Sequence, residues 1–81
     1  MHEIEDIRNG LSEIFGRVLQ QPTIPTDVSF FDLGGSSLAA IQIVSMVEER
    51  HGVSLDVLEV FGTEGLEELS RKVHSLLVQA P

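Results

Sequence analysis

Residues 30–40 read Phe30-Phe31-Asp32-Leu33-Gly34-Gly35-Ser36-Ser37-Leu38-Ala39-Ala40, and this stretch decides the fold. Its first half is turn chemistry. Gly34 and Gly35 permit positive φ and close approach by another group. A solvated linker would not carry two adjacent aromatics. The segment is therefore predicted to be ordered, with at least one Phe plugged into the core. Its second half opens a helix, because serine at position 36 or 37 is a preferred N-cap. A hydroxyl at that place sits beside unpaired N–H groups and the positive end of the helix dipole, which favour a phosphate. Taken alone, Gly34-Gly35-Ser36-Ser37 reads first as a serine cap after a glycine turn and nothing more.

Upstream, residues 21–36 also contain Pro22, Pro25, Asp27 and Ser29, with no periodic structure. A connection this long in a small domain is usually functional or disordered. Before it, Ile4, Ile7, Leu11, Ile14, Phe15, Val18 and Leu19 recur at steps of three and four, predicting a helix over 3–20. Glu3, Glu5 and Asp6 load its first turn in the sense the dipole favours. Gly10 and Gly16 weaken it by about 1 kcal/mol each relative to Ala. Pro22 stops it.

Downstream, Arg50 and His51 fall in the last turn of the second helix, and Gly52 follows at its C′ position. Ala40, Ile41, Val44, Val47 and His51 make one stripe, with Leu38, Ala39, Ile43 and Met46 partly outside it. This helix is apolar around more of its circumference than one buried face requires, so part of it is expected to meet a partner. Val53, Leu55 and Val57 alternate like a strand, yet no partner strand is available to satisfy its backbone. A short helical turn over 57–61 is expected instead. Thr63 is the expected N-cap of a final helix over 64–78, carrying Leu66, Leu69, Val73, Leu76 and Leu77 and ending before Pro81. The sum is all-α: a small four-helix bundle of three main helices and one short one, with a long ordered loop between the first two.

The 81 residues are expected to form a single domain, 1–81. Its core is thin, since a domain this small buries roughly 60% of the surface of its unfolded chain. With no Cys, disulfides, Cys-ligated zinc and a thiol nucleophile are excluded. Thirteen acidic against five basic residues give a net charge of −8, which disfavours nucleic acid or an anionic membrane as a partner. The acidic N-terminus lacks the features of a signal peptide, and no apolar run approaches the ~20 residues of a membrane span. A cytoplasmic monomer is expected.

Competing chemistries fail on spacing. A nucleophile elbow needs Gly-x-Ser-x-Gly, whereas Gly34-Gly35-Ser36-Ser37 is followed by Leu38. A P-loop needs Gly-Lys-Ser/Thr, and Lys72 is the only lysine. His2, His51 and His74 are scattered, and His51 reads as a cation at a helix C-terminus. The pairs Glu48-Glu49 and Glu67-Glu68 read as solvated faces.

The segment Phe30–Ala40, with its surroundings, closely resembles the attachment motif of acyl and peptidyl carrier proteins. The resemblance covers nearly the whole chain, including the Pro-containing loop, the helix ending at Gly52, Val53-Ser54-Leu55 and the Phe61-Gly62-Thr63 turn. It implies that Ser37, the serine before Leu38, accepts 4′-phosphopantetheine from coenzyme A through a phosphopantetheinyl transferase. Gly35, Ser36 and Leu38 would flank the attachment point. The arm's thiol would carry an aminoacyl or acyl group as a thioester, so this Cys-free chain would be a carrier rather than an enzyme. The resemblance also implies as partners an adenylation or acyl-loading enzyme, and condensation, ketosynthase or tailoring enzymes. Leu38, Ile41, Ile43, Ser45 and Met46 are candidate contacts, and Glu48 and Glu49 candidate steering charges. Ser36 departs from the pattern, standing where acyl carriers usually have Asp and many peptidyl carriers His. Phe30-Phe31 with Gly34-Gly35 lean towards peptidyl carriers of nonribosomal peptide synthesis, while the net charge leans towards acyl carriers of polyketide or fatty acid synthesis. The Met1 start suggests a free-standing carrier. Two other readings stay open: an unmodified carrier-like interaction domain, and a small hydrolase using Ser36 or Ser37, for which no base is visible.

Overall fold

The computed structural model describes residues 3–79. Met1, His2, Ala80 and Pro81 lie outside the described residues, and with them the expectation that the final helix ends before Pro81. Four helices follow in order: α1, Ile4–Leu19; α2, Ser37–His51; α3, Val57–Phe61; and α4, Leu66–Gln79. Among the described residues there is no strand.

The apolar stripe of α1 does what its spacing predicts. Ile7, Leu11, Ile14 and Phe15 are buried against α2 and α4. The helix stops before Pro22, with Gln20 left-handed at φ 58° and the Gln21 N–H bonded back to the Gly16 carbonyl at 3.0 Å. On the facing helix, the His51 ring lies so close to Gly10 that an added Cβ would stand 2.9 Å from it. Gly10 thus lets the two helices approach.

In α2 the buried residues are Ala40, Ile43 and Val47. This rotates the core face away from the expected stripe. Ile41 is 52% exposed, and Ile43, expected as a partner contact, is fully buried. A helix that is apolar nearly all round carries no phase information of its own, so the packing of α1 and α3 selects the face. Gly52 ends α2 with φ 71°, its N–H on the Glu48 carbonyl.

Val53 and Leu55 alternate because the connection between α2 and α3 buries both, with Ser54 outside. Asp56 then caps α3 in a reciprocal box with Glu59: each side chain accepts a backbone N–H near the other. Lys72 of α4 pairs with Glu59 and holds α3 in place.

The last helix starts at Leu66, two residues later than predicted, and Thr63 is not its cap. The buried Thr63 hydroxyl donates to the Gly65 carbonyl (2.8 Å) and accepts from the Gly65 N–H (3.3 Å), so it builds the turn ahead of the helix. The long loop supplies a partner instead: the Glu67 N–H donates to the Thr26 carbonyl at 3.1 Å. Leu66, Leu69 and Val73 are buried, whereas Leu76, expected on the same face, sits at its exposed edge. The Arg8 guanidinium grips Glu67 with two bonds of 2.9 Å, tying α1 to α4.

Candidate functional site

The loop between α1 and α2 is held by its own side chains. Ile24, Phe30 and Leu33 are buried. Phe30 is the predicted anchor: it is fully buried, with edge-on contacts to Phe15 (5.9 Å between centroids) and Phe61 (5.8 Å). Residues 29–35 form a single closed turn. The Ser29 hydroxyl accepts the Asp32 N–H at 3.1 Å, and the Leu33 N–H returns to the Ser29 carbonyl. Gly34 takes φ 86°, and the Gly35 N–H reaches back to the Phe30 carbonyl at 3.1 Å. That is the closure a left-handed glycine makes at a helix end. Gln21 donates to the Leu33 carbonyl at 2.8 Å and fixes the turn to the end of α1.

The two glycines therefore have different jobs. Gly34 is exposed, and a Cβ there would meet nothing within 4 Å. At Gly35 a Cβ would stand 2.6 Å from Phe30 Cε1, with other ring carbons nearer still. The open space for an approaching molecule is at Gly34, while Gly35 is bare so that the Phe30 ring can seat beneath it.

Ser36 and Ser37 are likewise separated by the structure. Ser36 is the N-cap of α2, with extended backbone and a hydroxyl that accepts the Ala39 N–H at 3.2 Å. Its carbonyl accepts the Ala40 N–H at 2.9 Å. Ser37 is the first helical residue and is exposed. Its hydroxyl is not needed to cap the helix. The first turns of α1, α3 and α4 carry acids (Glu5 and Asp6; Glu59; Glu67 and Glu68), but that of α2 carries none. The positive end of the α2 dipole is thus uncompensated by side chains, beside an exposed hydroxyl and the open side of Gly34. A phosphodiester on Ser37 fits these surroundings.

Exposed apolar side chains follow this point along α2. Leu38 is 65% exposed, Ile41 lies one turn beyond it, and Glu48 and Glu49 are exposed further along α2. Met46 is half-buried against the core. Sequence reasoning missed two further exposed apolar side chains. Phe31 is 67% exposed and lies against Phe61, with centroids 5.8 Å apart. Leu58, on the same side of α3 three residues before Phe61, is 74% exposed. The alternation through residues 53–57 hid the signal, because it did not show which apolar residues of α3 point inward.

The shifted carboxyls are structural: the bond from Lys72, with the Asp56 N–H, lowers Glu59, and the bond from Arg8 lowers Glu67. Among the described residues, no group of three His, Asp or Glu is placed to hold a metal. No helix among them is long and apolar enough to cross a membrane.

Residues 9–73 match the family model described as a phosphopantetheine attachment site. The chain is 43% identical over 51 residues to a dimodular nonribosomal peptide synthase of Bacillus subtilis, covering 63% of this chain and 2% of that protein. It is 32% identical over 76 residues to pyochelin synthetase PchE of Pseudomonas aeruginosa, covering 94% of this chain and 5% of that one. Over 67 residues it is 36% identical to the N-(5-amino-5-carboxypentanoyl)-L-cysteinyl-D-valine synthase of Penicillium rubens, covering 80% of this chain and 2% of that one. The chain therefore spans only a few per cent of the length of these curated relatives.

Proposed function

The chain belongs to the phosphopantetheine attachment-site family of carrier domains, and from that premise we propose that it carries aminoacyl or peptidyl groups in nonribosomal peptide synthesis, on an arm attached to Ser37. The observation that carries the assignment to Ser37 is the division of labour at the start of α2. Ser36 makes the capping bond, and Ser37 presents an exposed hydroxyl at an uncompensated helix N-terminus. The similarity to peptide synthetases in three organisms supports the peptidyl over the acyl reading.

Ser37 has no base of its own, so it acts as a substrate. A phosphopantetheinyl transferase takes the proton of its hydroxyl, whose oxygen attacks the pantetheine-bearing phosphorus of coenzyme A; the pyrophosphate P–O bond breaks, adenosine 3′,5′-bisphosphate leaves, and a phosphodiester remains on Ser37. The α2 N-terminus stabilises the retained negative charge. The attached arm supplies a thiol, which this chain lacks, and holds the cargo as a thioester. The chain's own residues then offer the grip. Leu38, Ile41, Phe31 and Leu58 are large exposed apolar side chains on the loop, α2 and α3, and form the contact surface for adenylation and condensation partners. Glu48 and Glu49 steer partners with basic patches.

The test is two-step. The chain is treated with coenzyme A and a promiscuous phosphopantetheinyl transferase, then with ATP and an amino-acid-activating enzyme or, in parallel, an acyltransferase and acyl-coenzyme A. The proposal expects a gain of one phosphopantetheine group, then a further gain of an aminoacyl group. No first gain refutes the carrier role. A second gain only from the acyltransferase refutes the peptidyl assignment.

A further inference from the structure

A cleft of ≈ 580 Å³ runs between the end of α1 and the outer face of α2, lined by Arg17, Val18, Ile41, Gln42, Ser45 and Met46. It adjoins a second cleft of ≈ 270 Å³ that shares Arg17 and Met46 and reaches Glu13 and Arg50. The two form one groove along α1 and α2. We propose that this groove is the resting site of the arm's pantetheine portion, with Ser45 marking where its sulfur end lies; the proposal rests on Ser37 carrying the arm.

Reach is the first argument. Ser45 is eight residues after Ser37, about 12 Å along a helix rising 1.5 Å per residue. From the Ser37 oxygen to its sulfur, the arm has the backbone bonds of roughly five extended residues, on the order of 16 Å. That leaves slack to cross the helix surface past Leu38 and Ile41 into the groove. Chemistry is the second. The arm alternates apolar segments (a gem-dimethyl group and methylenes) with two amides. The groove offers Val18, Ile41 and Met46 to the former and the polar groups of Gln42, Ser45 and Arg17 to the latter. Among the described residues Arg17 is the one Lys or Arg side chain outside the four ion pairs, which engage Arg8, Arg50, Arg71 and Lys72. Its donors are thus available to an amide carbonyl. Tethering is the third. A short flexible link gives its end an effective concentration in the mM range. Weak contacts are therefore enough to populate the site, and weak contacts let a partner enzyme draw the arm out.

The chain has no Cys, so the arm's thiol is the sole thiol of the loaded protein, and a thiol-directed spin label reports its position without background. The protein is labelled with ¹⁵N and with ¹³C at methionine methyls, loaded with coenzyme A and transferase, checked by intact mass, and spin-labelled. The proposal expects loss of the Met46 methyl and the Gln42 and Ser45 amide signals, with those of Leu58 and Val60 on α3 retained. Ser45 is exposed, so Ser45→Trp fills the groove without touching the core, and should restore the Met46 signal. Loading followed by broadening centred on α3, or spread evenly, overturns the groove assignment alone. Persistence of the Met46 loss in Ser45→Trp overturns it too. Absence of the mass gain overturns the carrier reading and, with it, this proposal.

Discussion

Replacing Gly35 by Ala separates a packing role from a binding role at the attachment loop. The backbone at Gly35 is not in the left-handed region, so an alanine there meets no conformational penalty. It meets the Phe30 ring instead, at 2.6 Å from Cε1 and less from its neighbours. That ring has little room to retreat: it is fully buried, with Phe15 on one side and Phe61 on the other at 5.9 and 5.8 Å. Forcing extra volume into such a site costs about 1–3 kcal/mol. In a domain of this size each kcal/mol lowers Tm by roughly 4–8 °C. Gly35→Ala should therefore unfold about 5–20 °C earlier in a thermal scan followed by circular dichroism. At a temperature where it is still folded, it should keep accepting phosphopantetheine. Gly34→Ala is the contrast. Nothing would touch its Cβ, and its cost of about 1–2 kcal/mol comes from holding alanine in the left-handed region. A Gly35→Ala protein as stable as the parent would refute the reasoning, since it would mean that Phe30 is not wedged.

Three further outcomes follow from the same geometry. Ser36→Ala removes the hydroxyl that accepts the Ala39 N–H and should cost about 1 kcal/mol in urea unfolding while leaving loading intact. Ile43→Ala should cost about 2–5 kcal/mol, because Ile43 is fully buried, whereas exposed Ile41→Ser should change stability by less than about 0.5 kcal/mol and instead slow transfer from an adenylation partner. The carboxyls of Glu59 and Glu67 are held below their ordinary value of 4.5 by Lys72 and Arg8, so their stabilisation is present above that value and is lost as pH falls through the lower folded values. Urea midpoints measured from pH 6 down to pH 3 should fall, and Glu67→Gln should flatten that fall; an unchanged slope would show that the Arg8 pair contributes nothing.

The helices of the ends were legible because their apolar residues are segregated. Ile7, Leu11, Ile14 and Phe15 on α1, and Leu66, Leu69 and Val73 on α4, are separated by polar residues that fix the buried face. The second helix lacks that contrast, so its extent was legible from the Ser36-Ser37 pair and Gly52 but its rotation was not. Only the packing of its neighbours placed Ile43 inside and Ile41 outside. Thr63 misled because a hydroxyl that starts a turn and one that caps a helix have the same local sequence. The deciding partner, the Thr26 carbonyl on the Glu67 N–H, lies some forty residues away. At the site, the Gly-Gly-Ser-Ser stretch announced a helix start but not which serine capped it. That needed the bond from the Ala39 N–H to Ser36. The Arg17 groove was not legible at all, since it is made by two helices that meet only in the folded chain.

The most direct measurement is to load the chain with coenzyme A and a phosphopantetheinyl transferase, digest it, and locate the added group by fragmentation of the peptide that spans both serines. The account predicts the group on Ser37, and no addition to Ser37→Ala under conditions where Ser36→Ala is fully loaded. The group on Ser36, or an unimpaired gain in Ser37→Ala, would contradict it.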